Sequence, residues 1–207
     1  MENDRLEQLK SKISVCRICV ERPATTPLPH EPRPVVVPSS KAKICIAGQA
    51  PGLRVHESGI PFNDPSGDRL RNWLGVERDQ FYNSDHFAII PMGFCFPGYD
   101  AKKSDLPPRR ECGEAWHDQL FDLMPQLELV LVIGQYAQKY HLGKLRKSSL
   151  TATAADWRNI LQASTKPRYL PLPHPSWRNT SWLKKNPWFD AEVVPFLQSE
   201  VKRLTGK

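Results

Sequence analysis

Three short segments carry groups that can act on a bound ligand. Residues 48–52 read Gly-Gln-Ala-Pro-Gly, and their two glycines let backbone amides approach a ligand closely. Residues 59–62 place an aromatic ring after a Gly-Ile-Pro turn, where a flat heterocycle can stack on it. Residues 174–176 begin with a histidine, and a neutral imidazole can donate a hydrogen bond to charge developing on a leaving group. Each segment alone is compatible with a plain turn, so it is their combination that indicates a site.

The five cysteines form a pattern that suits soft-metal ligation. Cys16 and Cys19 make a Cys-x-x-Cys pair, and Cys95 and Cys112 follow much later in the chain. Two close thiols and two distant ones fit a tetrahedral zinc ion or an iron–sulfur cluster, because both take soft anionic ligands. Free thiols are the remaining alternative. Cys45 lies inside a predicted strand, and we expect it in the hydrophobic core.

The elements that position these segments alternate between short apolar strands and helices. Strands are predicted at 44–47, 87–91, 129–133 and 169–172, and helices at 4–17, 66–74, 110–123, 135–141 and 152–161. This alternation predicts an α/β fold, a three-layer α/β/α arrangement around a mostly parallel central sheet. Ligands of such sheets collect at the carboxyl ends of the strands. The segments at 48–52 and 174–176 lie at two of those ends.

Charge and hydropathy restrict the partners and the compartment. The chain has 29 Lys and Arg against 22 Asp and Glu, a net charge of +7 that favours a polyanionic partner. The longest apolar run, 127–133, is too short to span a membrane, and the N-terminus shows no secretory signal. We therefore expect a cytoplasmic protein in a reducing compartment, where disulfides are uncommon.

The segments at 48–52, 59–62 and 174–176 together resemble the motifs of the uracil-DNA glycosylase superfamily, in its iron–sulfur, family 4-like branch. The cysteine pattern is similar to the one with which those enzymes hold a [4Fe-4S] cluster, which implies the ligands Cys16, Cys19, Cys95 and Cys112. The resemblance extends over nearly the whole chain. It implies a single glycosylase-like domain over 1–207, in which 1–40 supply a cluster-binding helix and a proline-rich strap.

The implied activity is hydrolysis of the N-glycosidic bond of uracil, or of a related damaged base, in DNA during base-excision repair. By resemblance, His174 donates to the pyrimidine O2 and Phe62 stacks beneath the base. The backbone around Gln49 and Ala50 binds the base or orients the attacking water, and Ser176 also lies among the implied base-binding residues.

Two positions depart from the family pattern. Gln49 stands where close relatives carry a glutamate that handles the water, and an amide cannot accept a proton. Asp64 is the carboxylate that we expect to replace this glutamate in catalysis, with Glu57 and Asp68 in the same segment as further candidates. It resembles an aspartate that related glycosylases carry just beyond the stacking phenylalanine, although a helix cap is its alternative role. The asparagine that reads the base edge in relatives is absent here, which leaves backbone groups of residues 92–94, including Gly93, for base recognition.

The DNA surface is expected on both sides of the site. Trp177 and Arg178 follow the histidine motif where relatives place residues that wedge into the duplex. A basic group that suits phosphate contacts is formed by Lys102, Lys103, Arg109 and Arg110, although a solvated charged face explains it as well. The expected partner is damaged or uracil-containing DNA, and the expected oligomeric state is a monomer.

Two other functions are compatible with the sequence. The first is a non-hydrolytic protein that binds a DNA lesion or abasic site and holds an iron–sulfur cluster, with Gln49 marking lost hydrolysis. The second is a zinc-stabilised α/β module that binds a nucleotide metabolite at the glycine-rich loop.

Overall fold

The central element is a sheet of four parallel strands, described by a computed structural model that covers residues 2–206. The strands are β1 (Ile44–Ala47), β2 (Phe87–Ile89), β3 (Leu129–Ile133) and β4 (Arg168–Leu172). Their spatial order is β2-β1-β3-β4, with β1 and β3 in the centre. All four strands agree with the prediction. The second is shorter than the predicted 87–91, although the amides of Ile90 and Met92 still donate to the carbonyls of Ile46 and Gly48.

Helices cover the sheet on both faces. They are α1 (Glu2–Ser14), α2 (Ile18–Glu21), α3 (Leu53–Ser58), α4 (Pro65–Leu74), α5 (Arg78–Phe81), α6 (Arg110–Cys112), α7 (Asp118–Asp122), α8 (Gly134–Leu142), α9 (Leu150–Ala155), α10 (Trp157–Ala163), α11 (Thr180–Lys185) and α12 (Val194–Thr205). Turns of π-helix lie at Gly113–His117 and Phe189–Val193, and 3₁₀ turns at Gly143–Leu145 and Trp177–Asn179.

The strands are apolar on both faces because each face contacts a layer of helices. Ile44 and Ile46 of β1 point into one cluster, which also contains side chains of α4, α10 and α12. Cys45 and Ala47 point into the other, with side chains of α1, α7 and α8. The three-layer α/β/α fold with a parallel sheet is therefore confirmed. Cys45 is fully buried, as expected of a core thiol.

Several helix boundaries differ from the predictions. The helix expected over 110–123 contains the π-helical turn, from which the Nε2 atom of the buried His117 donates to the Pro91 carbonyl at 3.1 Å. The helix expected over 152–161 breaks at Asp156, whose carboxylate lies 2.9 Å from the Lys147 amine. Helix α3 lies in a stretch for which no helix was predicted.

The proline-rich strap over 23–38 docks onto the edge of the sheet. Val37 and Ile89 exchange two backbone hydrogen bonds of 2.8 Å in an antiparallel bridge, so the strap extends the sheet beyond β2. The amide of Val35 donates to the Phe94 carbonyl at 2.7 Å, and the Val35 side chain is buried. The strap is therefore part of the sheet edge as well as a surface segment.

Within the described chain, no helix combines the length and the apolar character that crossing a membrane requires.

Candidate active site

The loops that follow β1, β2 and β4 meet at one edge of the sheet and enclose a cavity of about 100 Å³. Its wall contains most of the residues that the motifs indicated, namely Gln49, Ala50, Phe62, Asp64 and His174. Val35 of the strap and Asp105 also line the cavity. The position agrees with the rule that ligands of parallel sheets bind beyond the carboxyl ends of the strands.

A larger cavity, about 520 Å³, lies at the opposite edge of the sheet, near the amino ends of β3 and β4. Its wall includes Tyr140, His141 and Lys166 and none of the residues that the motifs indicated. The chemistry-bearing motifs converge on the smaller cavity, so that cavity is the candidate active site.

Phe62 forms one wall of the cavity and is held by two glycines. An added Cβ at Gly48 would lie 3.4 Å from the Phe62 ring, so the ring lies directly against the backbone there. An added Cβ at Gly67 would lie 1.9 Å from the Phe62 carbonyl oxygen, which only glycine permits. Phe62 itself has a positive φ of 53°, and its ring meets the edge of Phe81 at a centroid distance of 6.0 Å. A non-glycine residue at positive φ is uncommon and requires such support.

Asp64 both caps a helix and lines the cavity. Its Oδ1 atom accepts hydrogen bonds from the Ser66 amide at 2.9 Å, the Gly67 amide at 3.0 Å and the Ser66 hydroxyl at 2.5 Å. These contacts satisfy the first free amides of α4, which begins at Pro65. The capping role is therefore present, and it also fixes the carboxylate beside Phe62.

His174 follows β4 and is held in one tautomer. The Ser176 amide donates to its Nδ1 atom at 3.2 Å, which leaves the neutral ring with its proton on Nε2. Burial lowers the pKa of His174, although the nearby Asp64 carboxylate opposes that shift and Arg178 adds to it. The imidazole is therefore neutral near pH 7 and has an N–H to donate. Asn179 Nδ2 also donates to the His174 carbonyl at 2.8 Å, which fixes the turn.

Gln49 contacts the cavity, but its side chain packs against the loop that follows β3. An added Cβ at Gly134 would lie 2.9 Å from the Gln49 Cδ atom, so the amide side chain occupies the space above that glycine. Gly134 has a φ of 81°, at the point where α8 begins. Gln49 therefore fills the floor between β1 and β3, where its amide can contact a ligand and cannot act as a base.

The backbone segment expected to read the base has no free amide in the described structure. The Met92 amide donates to the Gly48 carbonyl at 3.0 Å, and the Gly93 amide donates to the Gln49 carbonyl at 2.8 Å. The Phe94 amide points to the Cys112 sulfur at 3.4 Å. Gly93 also lies outside the cavity wall, and its N–H holds the neighbouring loop, so that donor is not available to a base.

A groove of about 650 Å³ leads outward from the cavity. Ser176, Trp177 and Arg178 line it, and Trp177 is 74% exposed. The Arg178 guanidinium lies 6.0 Å from the centre of the Trp177 ring. Ser176 thus lies in the groove and contributes its amide to His174. The arrangement offers an exposed aromatic edge and a cation beside the cavity mouth.

The basic group predicted on the other side is only partly exposed. Lys102 and Lys103 lie exposed at the tip of a hairpin, where Asp100 accepts the amides of Lys102 and Ser104 at 2.8 Å each. Arg109 is instead buried, and its guanidinium lies 2.7 Å from the Glu111 carboxylate. The expected phosphate contact from Arg109 is therefore wrong, because its guanidinium is buried and already forms an ion pair with Glu111.

Two site residues were not found by sequence reasoning. Asp105 lines the cavity from the hairpin, and Arg69 of α4 donates to the Ser176 carbonyl at 2.8 Å and to the Thr180 hydroxyl at 3.1 Å. Arg69 thereby joins α4 to the loop that carries His174. The sequence shows Arg69 directly after a Pro-Ser-Gly-Asp run, but this gives no indication of its partners, which lie more than a hundred positions away in the chain.

The four cysteines predicted as ligands come from three separate segments and lie near one another. Cys19 and Cys95 share a small buried cluster with Leu28, and the Cys112 sulfur lies within hydrogen-bonding reach of Cys19. Cys16 is close enough to Cys95 that a thiolate at Cys16 would raise the pKa of Cys95. Hydrogen bonding from Cys112 lowers the pKa of Cys19 to about 7. Among the residues that the structure describes, no group of three or more His, Cys, Asp or Glu side chains has the arrangement to hold a metal ion.

The chain matches a known protein family. The model of the uracil DNA glycosylase superfamily matches residues 34–198. Among solved structures, the chain is similar to a solution NMR structure from Methanosarcina acetivorans, named provisionally as a uracil DNA glycosylase. That likeness is distant, with 13% sequence identity, a TM-score of 0.49, and coverage of 79% of this chain and 94% of the other. On the strength of the family model, which spans the sheet and every cavity residue named above, the chain belongs to the uracil DNA glycosylase superfamily.

Proposed function

We propose that this protein is a DNA glycosylase of base-excision repair, which hydrolyses the N-glycosidic bond of uracil or a related damaged base in DNA. One observation carries the proposal. A neutral His174, whose Nδ1 atom is engaged and whose Nε2–H is free to donate, shares a small cavity with the Phe62 ring. Membership of the superfamily and the net charge of +7 support it.

The chemistry of bond cleavage explains why these groups belong together. As the bond to the sugar breaks, the sugar carbon gains positive charge and the base leaves as an anion. The Nε2–H of His174 can donate to the oxygen where that negative charge collects. The Asp64 carboxylate, on the same wall, stabilises the positive charge on the sugar.

The size of the cavity suits a single flat ring. At about 100 Å³ it has no room for a base pair, so the target nucleotide must leave the duplex before it can enter. Phe62 provides the stacking surface, and the adjacent groove, with the exposed Trp177, can hold the flanking strand. Arg178 and the hairpin lysines supply cations for the phosphates.

We also propose a [4Fe-4S] cluster held by Cys16, Cys19, Cys95 and Cys112. The donor set fits, because each iron of such a cluster takes one thiolate and the four sulfurs need not converge on a single point. The Arg109 guanidinium contacts Cys19, and its buried Nε atom finds no acceptor in the described part of the chain, so a cluster sulfur would satisfy it. When bound, the cluster would join the N-terminal segment, the Cys95 loop and α6 as a structural cross-link.

The proposal is tested by base release from oligonucleotides that carry uracil or another deaminated base, with anaerobically purified protein. We expect wild type to release the base and His174→Ala to be on the order of a hundredfold slower. His86→Ala, a histidine substitution away from the cavity, serves as the matched control and should retain the wild-type rate. Tight binding of the lesion duplex with no release of any base would instead support a non-hydrolytic lesion-binding protein.

A further inference from the structure

Asp105 lies on a hairpin that is closed by backbone hydrogen bonds. Tyr99 and Asp105 form an antiparallel bridge, and the Leu106 amide donates to the Gly98 carbonyl at 2.9 Å. The tip is closed by Asp100, whose amide donates to the Ser104 carbonyl at 2.8 Å. These bonds fix the backbone on both sides of Asp105. Asp105 lines both the cavity and the groove.

The two carboxylates of the cavity differ in how they are engaged. The Oδ1 atom of Asp64 accepts three hydrogen bonds as a helix cap, so this oxygen is already occupied by the first turn of α4. The Asp105 carboxylate has no hydrogen-bond donor among the contacts of the described residues. Asp105 therefore keeps its lone pairs available for a water molecule, whereas one oxygen of Asp64 is fully engaged by α4.

The surroundings of Asp105 favour a proton acceptor. Asp105 is exposed as a residue, and partial desolvation of its carboxylate raises its pKa; Arg178 opposes the shift, whereas the Asp64 carboxylate adds to it. The other titratable or charged groups that line the groove beside it are Arg54 of α3, Tyr136 of α8 and His174. A carboxylate with a pKa above its ordinary value is a better base near neutral pH.

We propose that Asp105 is the catalytic base of this site, a role that rests on the glycosylase function proposed above. The water oxygen forms a bond to the sugar carbon as the glycosidic bond breaks, and the bonding pair leaves with the base. One water proton passes to the Asp105 carboxylate, which becomes neutral, and His174 donates a hydrogen bond to the anionic base. The base then takes up a proton, and Asp105 returns to its ionised form. This assignment supplies the proton acceptor that Gln49 cannot be.

The test is single-turnover base release by Asp105→Asn as a function of pH. In wild type, the rate should fall as the pH falls through the raised pKa of Asp105, because the protonated acid cannot accept a proton. In the variant, the rate should be about 100-fold lower or more, and this decline should disappear. Sodium formate should restore part of the rate to Asp105→Ala, since a small carboxylate can enter the space left by the side chain.

The control is Asp79→Asn, which removes the same charge from an exposed aspartate of α5 outside the cavity wall. It should release the base at the wild-type rate, and both variants should bind an abasic-site duplex as tightly as wild type. Release by Asp105→Asn within threefold of wild type, with the pH dependence unchanged, would overturn the assignment and leave the glycosylase function intact. Absence of release from wild type on every damaged base would overturn the proposed function and this inference with it.

Discussion

The carbonyl oxygen of Phe62 lies against the α-carbon of Gly67, so closely that an added Cβ would be 1.9 Å from it. Gly67 belongs to the first turn of α4, and Phe62 has a positive φ. The first turn of α4 and the Phe62 ring are therefore held in place by the same contact. The stability of the fold and the shape of the cavity depend on the same contact.

Gly67→Ala should destabilise the protein by roughly 1–3 kcal/mol, because the atom it meets is backbone and cannot rotate away. Denaturant unfolding measures the change. Gly52→Ala is the matched control, since its added Cβ would meet nothing within 4 Å and its φ is −80°. Equal stability of the two variants would contradict the tight packing of Phe62 on α4.

Acid should destabilise the fold through His141. Burial lowers the pKa of His141 to about 3, below its ordinary value of 6.5. The unfolded chain then binds a proton that the folded chain excludes, so stability is present above pH 6.5 and is lost as the pH falls toward 3. The loss between pH 6.5 and pH 5 should be about 2 kcal/mol from this residue, at about 1.4 kcal/mol per pH unit.

His141→Phe should flatten that part of the pH–stability curve, measured by denaturant unfolding from pH 8 to pH 5. Phenylalanine suits the position because Phe121, Tyr140 and Tyr169 surround the ring. An unchanged slope in the variant would show that His141 is not the group that takes up the proton.

Cysteine substitutions should distinguish the four proposed cluster ligands from Cys45, the thiol in the hydrophobic core. We expect Cys95→Ser to lose iron, acid-labile sulfide and the brown colour of the purified protein, because one of four thiolates is removed. Cys45→Ser should keep the full iron content and lose stability instead, since it places a hydroxyl in the apolar layer beneath β1. A colourless wild-type protein that contains zinc would exclude the cluster.

The hairpin lysines should account for part of the salt dependence of DNA binding. Replacing Lys102 and Lys103 by alanine should reduce the slope of log affinity against log salt by roughly one unit for each phosphate that is no longer neutralised. Lys10→Ala with Lys12→Ala removes the same charge from exposed positions on α1. The same change of slope in both double variants would indicate a general charge effect and no defined phosphate site.

The sheet and the main loops could be predicted because each depends on local sequence. The strands at Ile44–Ala47 and Leu129–Ile133 are uninterrupted apolar runs, and the turns at 48–52 and 174–176 follow strands directly. A parallel sheet brings such turns to one edge whatever the remaining contacts are. The sequence alone therefore assigns these two turns, with His174, to one site, and the family resemblance adds Phe62 and Asp64 to it.

Asp105 could not be found in this way. Its place in the cavity depends on a hairpin whose closing contacts join Gly98 to Leu106 and Asp100 to Ser104, and no periodic pattern marks them. The burial of Arg109 likewise depends on Glu111, which sits two positions away and looks like any other surface acid in the sequence. The tautomer of His174 follows from the turn that brings the Ser176 amide back to the ring.

The antiparallel bridge between Val37 and Ile89 also has a consequence for the protein in a crowded solution. An exposed outer strand is a template for pairing with another molecule, and the strap occupies that position beside β2. At the other side of the sheet, Pro171 interrupts the row of donors on β4. Both margins of the sheet are thus protected against self-association into fibrils, and removal of the N-terminal strap would expose one of them.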